Sequence, residues 1–216
     1  MLVSMMIVKR LTGQTQVLRL RFKERIVIVL NVVQPIKGKK DIEAMKVYLK
    51  SKSLRDWALF VLGINSALRI SDLLNLKVSD VVDENGKIKE RIILKEQKTS
   101  KSKNFPLNNN VKSALSEYIS TIPSDQIALF ASRKGNEAIT RQCAHTILSN
   151  AADKVGIKEA ISCHSLRKGF ANALYENGVD LTRIQALLNH SSPKETLRYI
   201  GITQSENDLI YMELNL

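Results

Sequence analysis

The stretch that decides the reading of this chain runs from His164 to Tyr199: His164-Ser-Leu-Arg167-Lys-Gly, Gly178-Val-Asp180, Ile184-Gln185, Leu188-Asn-His190-Ser-Ser192 and Thr196-Leu-Arg-Tyr199. Apolar residues recur in it at helical intervals, and its capping residues divide it into three helices. The first runs from about His164 to Glu176 and closes at Asn177-Gly178. Asp180 caps the second, with Leu181, Ile184 and Leu188 inward. Ser192-Pro-Lys-Glu195 reads as a capping box with proline at the first helical position, opening the helix that carries Tyr199. His164 and Arg167 share a face, while Leu166, Phe170 and Leu174 take the neighbouring core face. His190 ends one helix and Tyr199 sits on the next, so a single turn can bring them together.

Two imidazoles, a guanidinium and a phenol on adjacent helices suit chemistry at a phosphodiester. Charge concentrates on the non-bridging oxygens of the pentacoordinate transition state. Guanidiniums hydrogen-bond those oxygens bidentately and stay charged at any relevant pH. A tyrosine hydroxyl is a nucleophile if a base removes its proton, and a histidine supplies such a base near neutral pH. Taken singly, each residue has a plainer explanation. A histidine before a proline-led helix is commonly structural, and tyrosines on amphipathic helices are commonly core; Tyr118, Tyr175 and Tyr211 are expected there. Jointly, in this order and spacing, the plain explanations lose.

Outward from this stretch, Ile42, Met45 and Leu49 share the face of a helix beginning near Asp41. Leu54, Trp57, Ala58, Val61 and Leu62 do so on a second, and a short third follows Arg69. The period then changes. Val81-Val82, the turn Asp83-Glu-Asn-Gly86 and Lys87–Lys95 predict a hairpin, with Asn85-Gly86 supplying positive φ. A turn near Thr99-Ser100 leads to a strand ending at Pro106, making an antiparallel sheet of about three strands. Helices resume with Val111, Leu115 and Tyr118, and Thr140 caps another that ends at Gly156. Residues from about Gln204 to Leu216 predict a last helix.

The pattern His-x-x-Arg, then His, then Tyr nine residues later resembles the catalytic end of the tyrosine recombinases, the phage-integrase family. Two further segments resemble that family in order. Ser66-Ala-Leu-Arg69-Ile-Ser-Asp72-Leu-Leu is similar to the box around its first catalytic arginine. Glu96-Gln-Lys98-Thr99, before Phe105-Pro106-Leu107, is similar to its hairpin lysine segment. The match covers about residues 35–216. The resemblance implies a mixed fold, mostly helical with a small antiparallel sheet, and site-specific DNA recombination through a 3′-phosphotyrosyl intermediate. It implies that Tyr199 attacks the phosphate, Arg69 and Arg167 clamp its oxygens, His190 adds a hydrogen bond, His164 assists proton transfer and Lys98 protonates the leaving 5′-oxygen. Lys101 and Lys103 are rivals to Lys98 in the same basic run. Asp72 is expected to orient the arginine region, and Lys95, Lys101, Lys103 and Lys168 to touch DNA. No metal or nucleotide cofactor is implied. The partners implied are double-stranded DNA, a homo-tetramer on paired sites, and an accessory DNA-bending protein or second recombinase.

The chain has 216 residues and a net charge of +12, with 44% hydrophobic residues. That charge favours a polyanion, because each neutralised phosphate releases counterions. Aromatic residues make up only 5%, which argues for a grip on duplex phosphates over a single-strand stacking platform. Cys143 and Cys163 fit no disulfide framework or metal spacing and are expected to be buried thiols in a reducing, cytoplasmic setting. No pair among His145, His164 and His190 has zinc-ligand spacing. No apolar run approaches the roughly 20 residues of a membrane span.

Residues 1–34 stand apart from the expected catalytic domain at 35–203. They carry Lys9, Arg10, Arg19, Arg21, Lys23 and Arg25 against Glu24 alone. Val17–Phe22 alternates as a strand would, and Ile26–Leu30 is a β-branched run. A basic arm on DNA and an extension with no fixed structure are both open. The helical N-terminal module that most family members carry is not recognisable, as in the short inversion recombinases. Residues 204–216, with Leu209, Ile210, Met212 and Leu214, are apolar enough to dock on a neighbouring subunit. Two other activities fit the same residues: nick-and-reseal chemistry like that of a type IB topoisomerase, and a non-catalytic DNA-binding regulator.

Overall fold

A computed structural model describes residues 7–10, 15–22, 25–98, 100–133, 135–201 and 211–213. The chain opens with three strands, β1 (Ile7–Arg10), β2 (Thr15–Phe22) and β3 (Arg25–Val32), paired antiparallel in the order β1-β2-β3. The alternation at Val17–Phe22 and the β-branched run at Ile26–Leu30 thus become strands in register, Leu18 opposite Val29 and Leu20 opposite Val27. A short link follows, tied to the helical part where Gln34 N–H donates to Ala160 O at 3.3 Å.

Helix α1 (Lys39–Lys52) buries Met45 and Leu49, as its spacing predicts. Ser53 ends it and caps α2 (Leu54–Ser66) by accepting from Asp56 N–H. Helix α2 is apolar nearly all round and is accordingly buried on nearly all sides, from Ala58 to Ile64. It stops at Ala67, whose φ of 53° turns the chain sharply into α3 (Ile70–Leu74).

The next segment corrects the expected three-stranded sheet. Val78–Val81 is a helical turn, α4, closed by Asp80 Oδ2 accepting from Lys77 N–H at 2.8 Å. Burial of Val81 in the core favours that turn over an edge strand. Only one bridge, Val82 to Ile88, remains of the first expected strand. The sheet here is therefore two-stranded, β4 (Arg91–Lys95) with β5 (Ser102–Pro106). In the turn, Gly86 takes positive φ, whereas Asn85 does not and instead donates its N–H to Asp83 Oδ1 at 2.9 Å.

Helices α5 (Asn109–Ile119) and α6 (Arg141–Lys154) follow, capped by Asn108 and Thr140. Then come α7 (Cys163–Glu176), α8 (Leu181–Leu188) and α9 (Pro193–Ile200). Ser162 and Ser165 form a reciprocal capping box at the start of α7. The box predicted for α9 is half made. Ser192 accepts from Glu195 N–H, but the Glu195 carboxylate turns to Ser191.

The core has two parts. The larger is built around α2, with α1, α5 and α7 against it. Gly63 of α2 permits the closest approach: a Cβ there would meet Leu166 Cδ1 at 2.6 Å and Leu73 Cδ2 at 3.1 Å. The smaller joins Ala67, Ala171, Ile184, Leu188 and Ile200, with the Tyr199 ring packed on it. Tyr118 is in the core as expected, its hydroxyl donating to Leu129 O at 2.9 Å. Tyr175 and Tyr211 are not, being 46% and 80% exposed. Tyr175 lies at the end of α7, past the turns that face the core. Tyr211–Glu213 is helical; the rest of the helix expected near the C-terminus, with Leu209, Ile210 and Leu214, lies outside the described residues. Both cysteines are free thiols, Cys163 buried and Cys143 half-buried. Among the described residues no helix is long and apolar enough to cross a membrane.

Candidate active site

The seam between the two cores gathers most of the residues singled out above. The left-handed turn at Ala67 aims its carbonyl into the seam, and that oxygen accepts from Arg167 Nη1 at 2.5 Å and from Lys103 Nζ at 3.2 Å. Arg167 is only 3% exposed. Its Nη2 donates to Leu188 O at the end of α8. Two carbonyls from separate elements thus fix the plane of this guanidinium. Burial lowers its pKa, opposed first by the charge of Tyr199.

Tyr199 follows on α9, half-buried, its ring set edge-on to that of His190 with centroids 4.9 Å apart. Burial raises the phenol pKa above its usual value. The Arg167 charge pulls it back most, followed by Arg69 and by a side-chain hydrogen bond with Arg167. His190 is held at both ends: its N–H donates to Gln185 O at 3.1 Å, and its Nδ1 lies 3.1 Å from Thr196 Oγ1. Burial lowers its pKa.

Arg69, at the start of α3, ion-pairs through Nη1 with Glu96 Oε2 at 2.9 Å. Asp72 is buried one turn along, but its Oδ1 accepts from Gln97 N–H at 2.9 Å. It therefore ties α3 to the lysine hairpin, and its charge also acts on Arg167.

His164 lies one helical turn before Arg167, its Nε2 3.2 Å from Arg141 Nη2. A guanidinium only donates, so Nε2 is the acceptor and the ring is neutral. Burial, with Arg141 next, brings its pKa down to about 4.

The lysines divide. Lys98 is exposed at the hairpin turn, as are Lys95 and Lys101 on its flanks. Lys103 is half-buried in the seam, bonded also to Leu187 O at 3.2 Å, and burial brings its pKa down to about 8. Lys168 departs from its expected place on a DNA-facing surface. It is 7% exposed, its Nζ donates to Val33 O at 2.7 Å and sits 5.6 Å from the Tyr199 ring centre. Its position on the α7 face toward the N-terminal link buries most of its side chain.

The structure thus brings Arg69, Arg167, His190 and Tyr199 together with Lys103, sets His164 at the rim and leaves Lys98 outside. Sequence reasoning missed the contacts of Glu96, Asn189, Thr196 and Arg141. A lone acid beside a lysine-rich run and an asparagine directly before His190 were the available signals.

The model of the phage integrase family matches residues 38–206. The chain is 38% identical over 182 residues to the probable integrase/recombinase YoeC of Bacillus subtilis, covering 84% of this chain and 97% of that protein. It is 32% identical over 151 residues to the tyrosine recombinase XerA of Thermococcus onnurineus, covering 69% of this chain and 51% of that one. It therefore spans nearly all of the first relative and about half the length of the second. In fold it is similar to the crystal structure of XerA recombinase, with a TM-score of 0.67 at 23% identity over 85% of this chain and 66% of that one. It is similar also to XerH site-specific recombinase bound to its difH substrate before cleavage, with a TM-score of 0.61 at 23% identity over 84% of this chain and 54% of that one. The chain belongs to the phage integrase family, the tyrosine recombinases, enzymes of site-specific DNA recombination.

Proposed function

We propose that this chain cuts and rejoins duplex DNA at specific sites by transesterification on Tyr199. The observation that carries the reading is the Arg167 guanidinium, pinned by two carbonyls and set beside the Tyr199 hydroxyl in a seam shared with Arg69 and His190. The Tyr199 oxygen attacks the scissile phosphorus as its proton passes toward His164, whose Nε2 is free to accept it once Arg141 turns from the ring to a DNA phosphate. The bond from phosphorus to the 5′-oxygen breaks, that oxygen takes a proton from Lys98, and a 3′-phosphotyrosyl link and a 5′-hydroxyl result. Arg69 and Arg167 stabilise the non-bridging oxygens. His190, with Nδ1 engaged by Thr196, offers Nε2 to the same oxygens. A second 5′-hydroxyl attacks the phosphotyrosyl and reverses these steps, so resealing needs no nucleotide. Lys95 and Lys101, exposed on the hairpin, serve as phosphate contacts.

For the leaving-group proton, Lys103 is a second reading, favoured by its place in the seam and its pKa of about 8. A 5′-bridging sulfur separates the two, because a thiolate leaves without protonation. The lysine whose alanine variant loses cleavage on oxygen and regains it on sulfur is the donor.

Residues 35–203 form the catalytic domain in this reading, 1–34 a basic arm, and 204–216 a segment that docks on a neighbouring subunit within a tetramer on paired sites. The primary test incubates the protein with duplexes from the DNA flanking its gene, nicked to trap the intermediate. An SDS-resistant adduct is expected, and it should vanish in Tyr199→Phe. An adduct that persists in that variant would remove Tyr199 as the nucleophile.

A further inference from the structure

Glu96 has no part in the cleavage steps above, yet its carboxylate is wholly buried at their centre. Its Oε2 lies 2.9 Å from Arg69 Nη1 and accepts from Asn189 Nδ2 at 3.1 Å. Its backbone closes the hairpin turn: Glu96 N–H donates to Lys101 O at 2.9 Å, and Ser100 N–H donates to Glu96 O at 2.9 Å. One residue thus touches three separate pieces of the site. These are the first arginine, the residue preceding His190, and the loop that carries Lys98.

A buried carboxylate is costly unless cations answer it. Here the converse also holds. Arg69, Arg167 and Lys103 are three cations in one seam, and Glu96 offsets the repulsion among them. Its charge favours the protonated forms of both Arg167 and Lys103. Asn189 is suited to its end of the link. It occupies the left-handed region at φ 49°, which asparagine tolerates, and its amide reaches Glu96 where glycine has nothing to reach with.

We propose that Glu96 is a positioning residue of the cleavage site, a buried carboxylate that holds Arg69, the turn before His190 and the Lys98 hairpin in register. The inference rests on the reading of Arg69 as a phosphate clamp. A purely structural residue would lower melting temperature, DNA affinity and cleavage together. A positioning carboxylate lowers cleavage alone, and removing its negative charge leaves phosphate binding as tight or tighter.

The experiment measures DNA Kd, melting temperature and single-turnover adduct formation on the nicked duplex. Glu96→Gln, close in shape but uncharged, should slow adduct formation at least 10-fold with Kd unchanged or lowered. Glu96→Asp, which keeps the charge on a shorter arm, should recover part of the rate. Asn189→Gly keeps the backbone conformation and removes the amide link, so it should slow cleavage several-fold even if Glu96→Gln fails to fold. Arg69→Ala should abolish most cleavage, and adding Glu96→Gln to it should change the rate less than about 2-fold. If Arg69→Ala cleaves normally, the clamp reading falls and this inference with it. If Arg69→Ala is impaired while Glu96→Gln and Asn189→Gly cleave at the wild-type rate, the inference alone falls. An equal loss from Glu96→Gln on both the wild-type and Arg69→Ala backgrounds would also overturn it.

Discussion

Arg167 is the residue on which the site turns, because its position is set before any DNA arrives. Two of its donors are spent on the carbonyls of Ala67 and Leu188, and the guanidinium also hydrogen-bonds the Tyr199 side chain. A lysine there keeps the charge and loses the planar fork. One preorganised donor to a transition-state oxygen is worth about 3 kcal/mol. Arg167→Lys should therefore slow adduct formation by about 100-fold or more in single-turnover assays, with DNA affinity nearly unchanged. His164 makes a prediction about pH. Its folded pKa of about 4 lies below the ordinary value of 6.5, so the unfolded chain takes up the proton first. This contribution to stability is intact above pH 6.5 and is lost as pH falls toward 4. Melting temperature measured across that interval should fall less steeply in His164→Gln than in the parent chain.

At the scale of elements, two joints place the residues of the proposed site. The capping box of Ser162 and Ser165 starts α7 at the turn that carries His164 and Arg167. Ser162→Ala should cost about 1 kcal/mol in denaturant unfolding. The other joint is the contact of α2 with α7 at Gly63, where the Leu166 side chain occupies the space of a Cβ. Overpacking typically costs about 1–3 kcal/mol. Gly63→Ala should lose stability in that range, and it should slow cleavage too, since α7 carries Arg167. Loss of stability without loss of cleavage would show that Leu166 moves aside and the helix does not.

For the whole molecule, the net charge of +12 sets the expected behaviour on DNA. Each phosphate neutralised contributes a slope of about −0.9 in log affinity against log salt. Removing residues 1–32 takes away six basic side chains and one acid but leaves Val33, whose carbonyl receives Lys168. That truncation should flatten the salt dependence of duplex binding while the melting temperature of the remainder stays within a few degrees. An unchanged slope would mean that the N-terminal sheet does not touch DNA.

The helices, their caps and the chemical type of the site were legible from local signals, because helical periodicity and capping depend on residues three or four apart. Met45 and Leu49 and the Thr140 and Asp180 caps follow from such short-range patterns, whereas the set Arg69, Arg167, His190 and Tyr199 came from the resemblance to the family. Val81 was misread because its β-branched character points to a strand, and only a core contact selects the helical turn. The fates of the lysines were decided by tertiary structure alone. Lys98, Lys103 and Lys168 are the same residue type in similar basic contexts, yet one is exposed, one lies in the seam and one reaches back to Val33. The distinction rests on acceptor carbonyls of distant elements, 36 residues away for Ala67 and 135 for Val33, and no local pattern encodes such a partner. The chain's sequence thus determines which side chains can do the chemistry. Their packing decides which are held still, which are shifted in pKa by burial, and which are left to meet DNA.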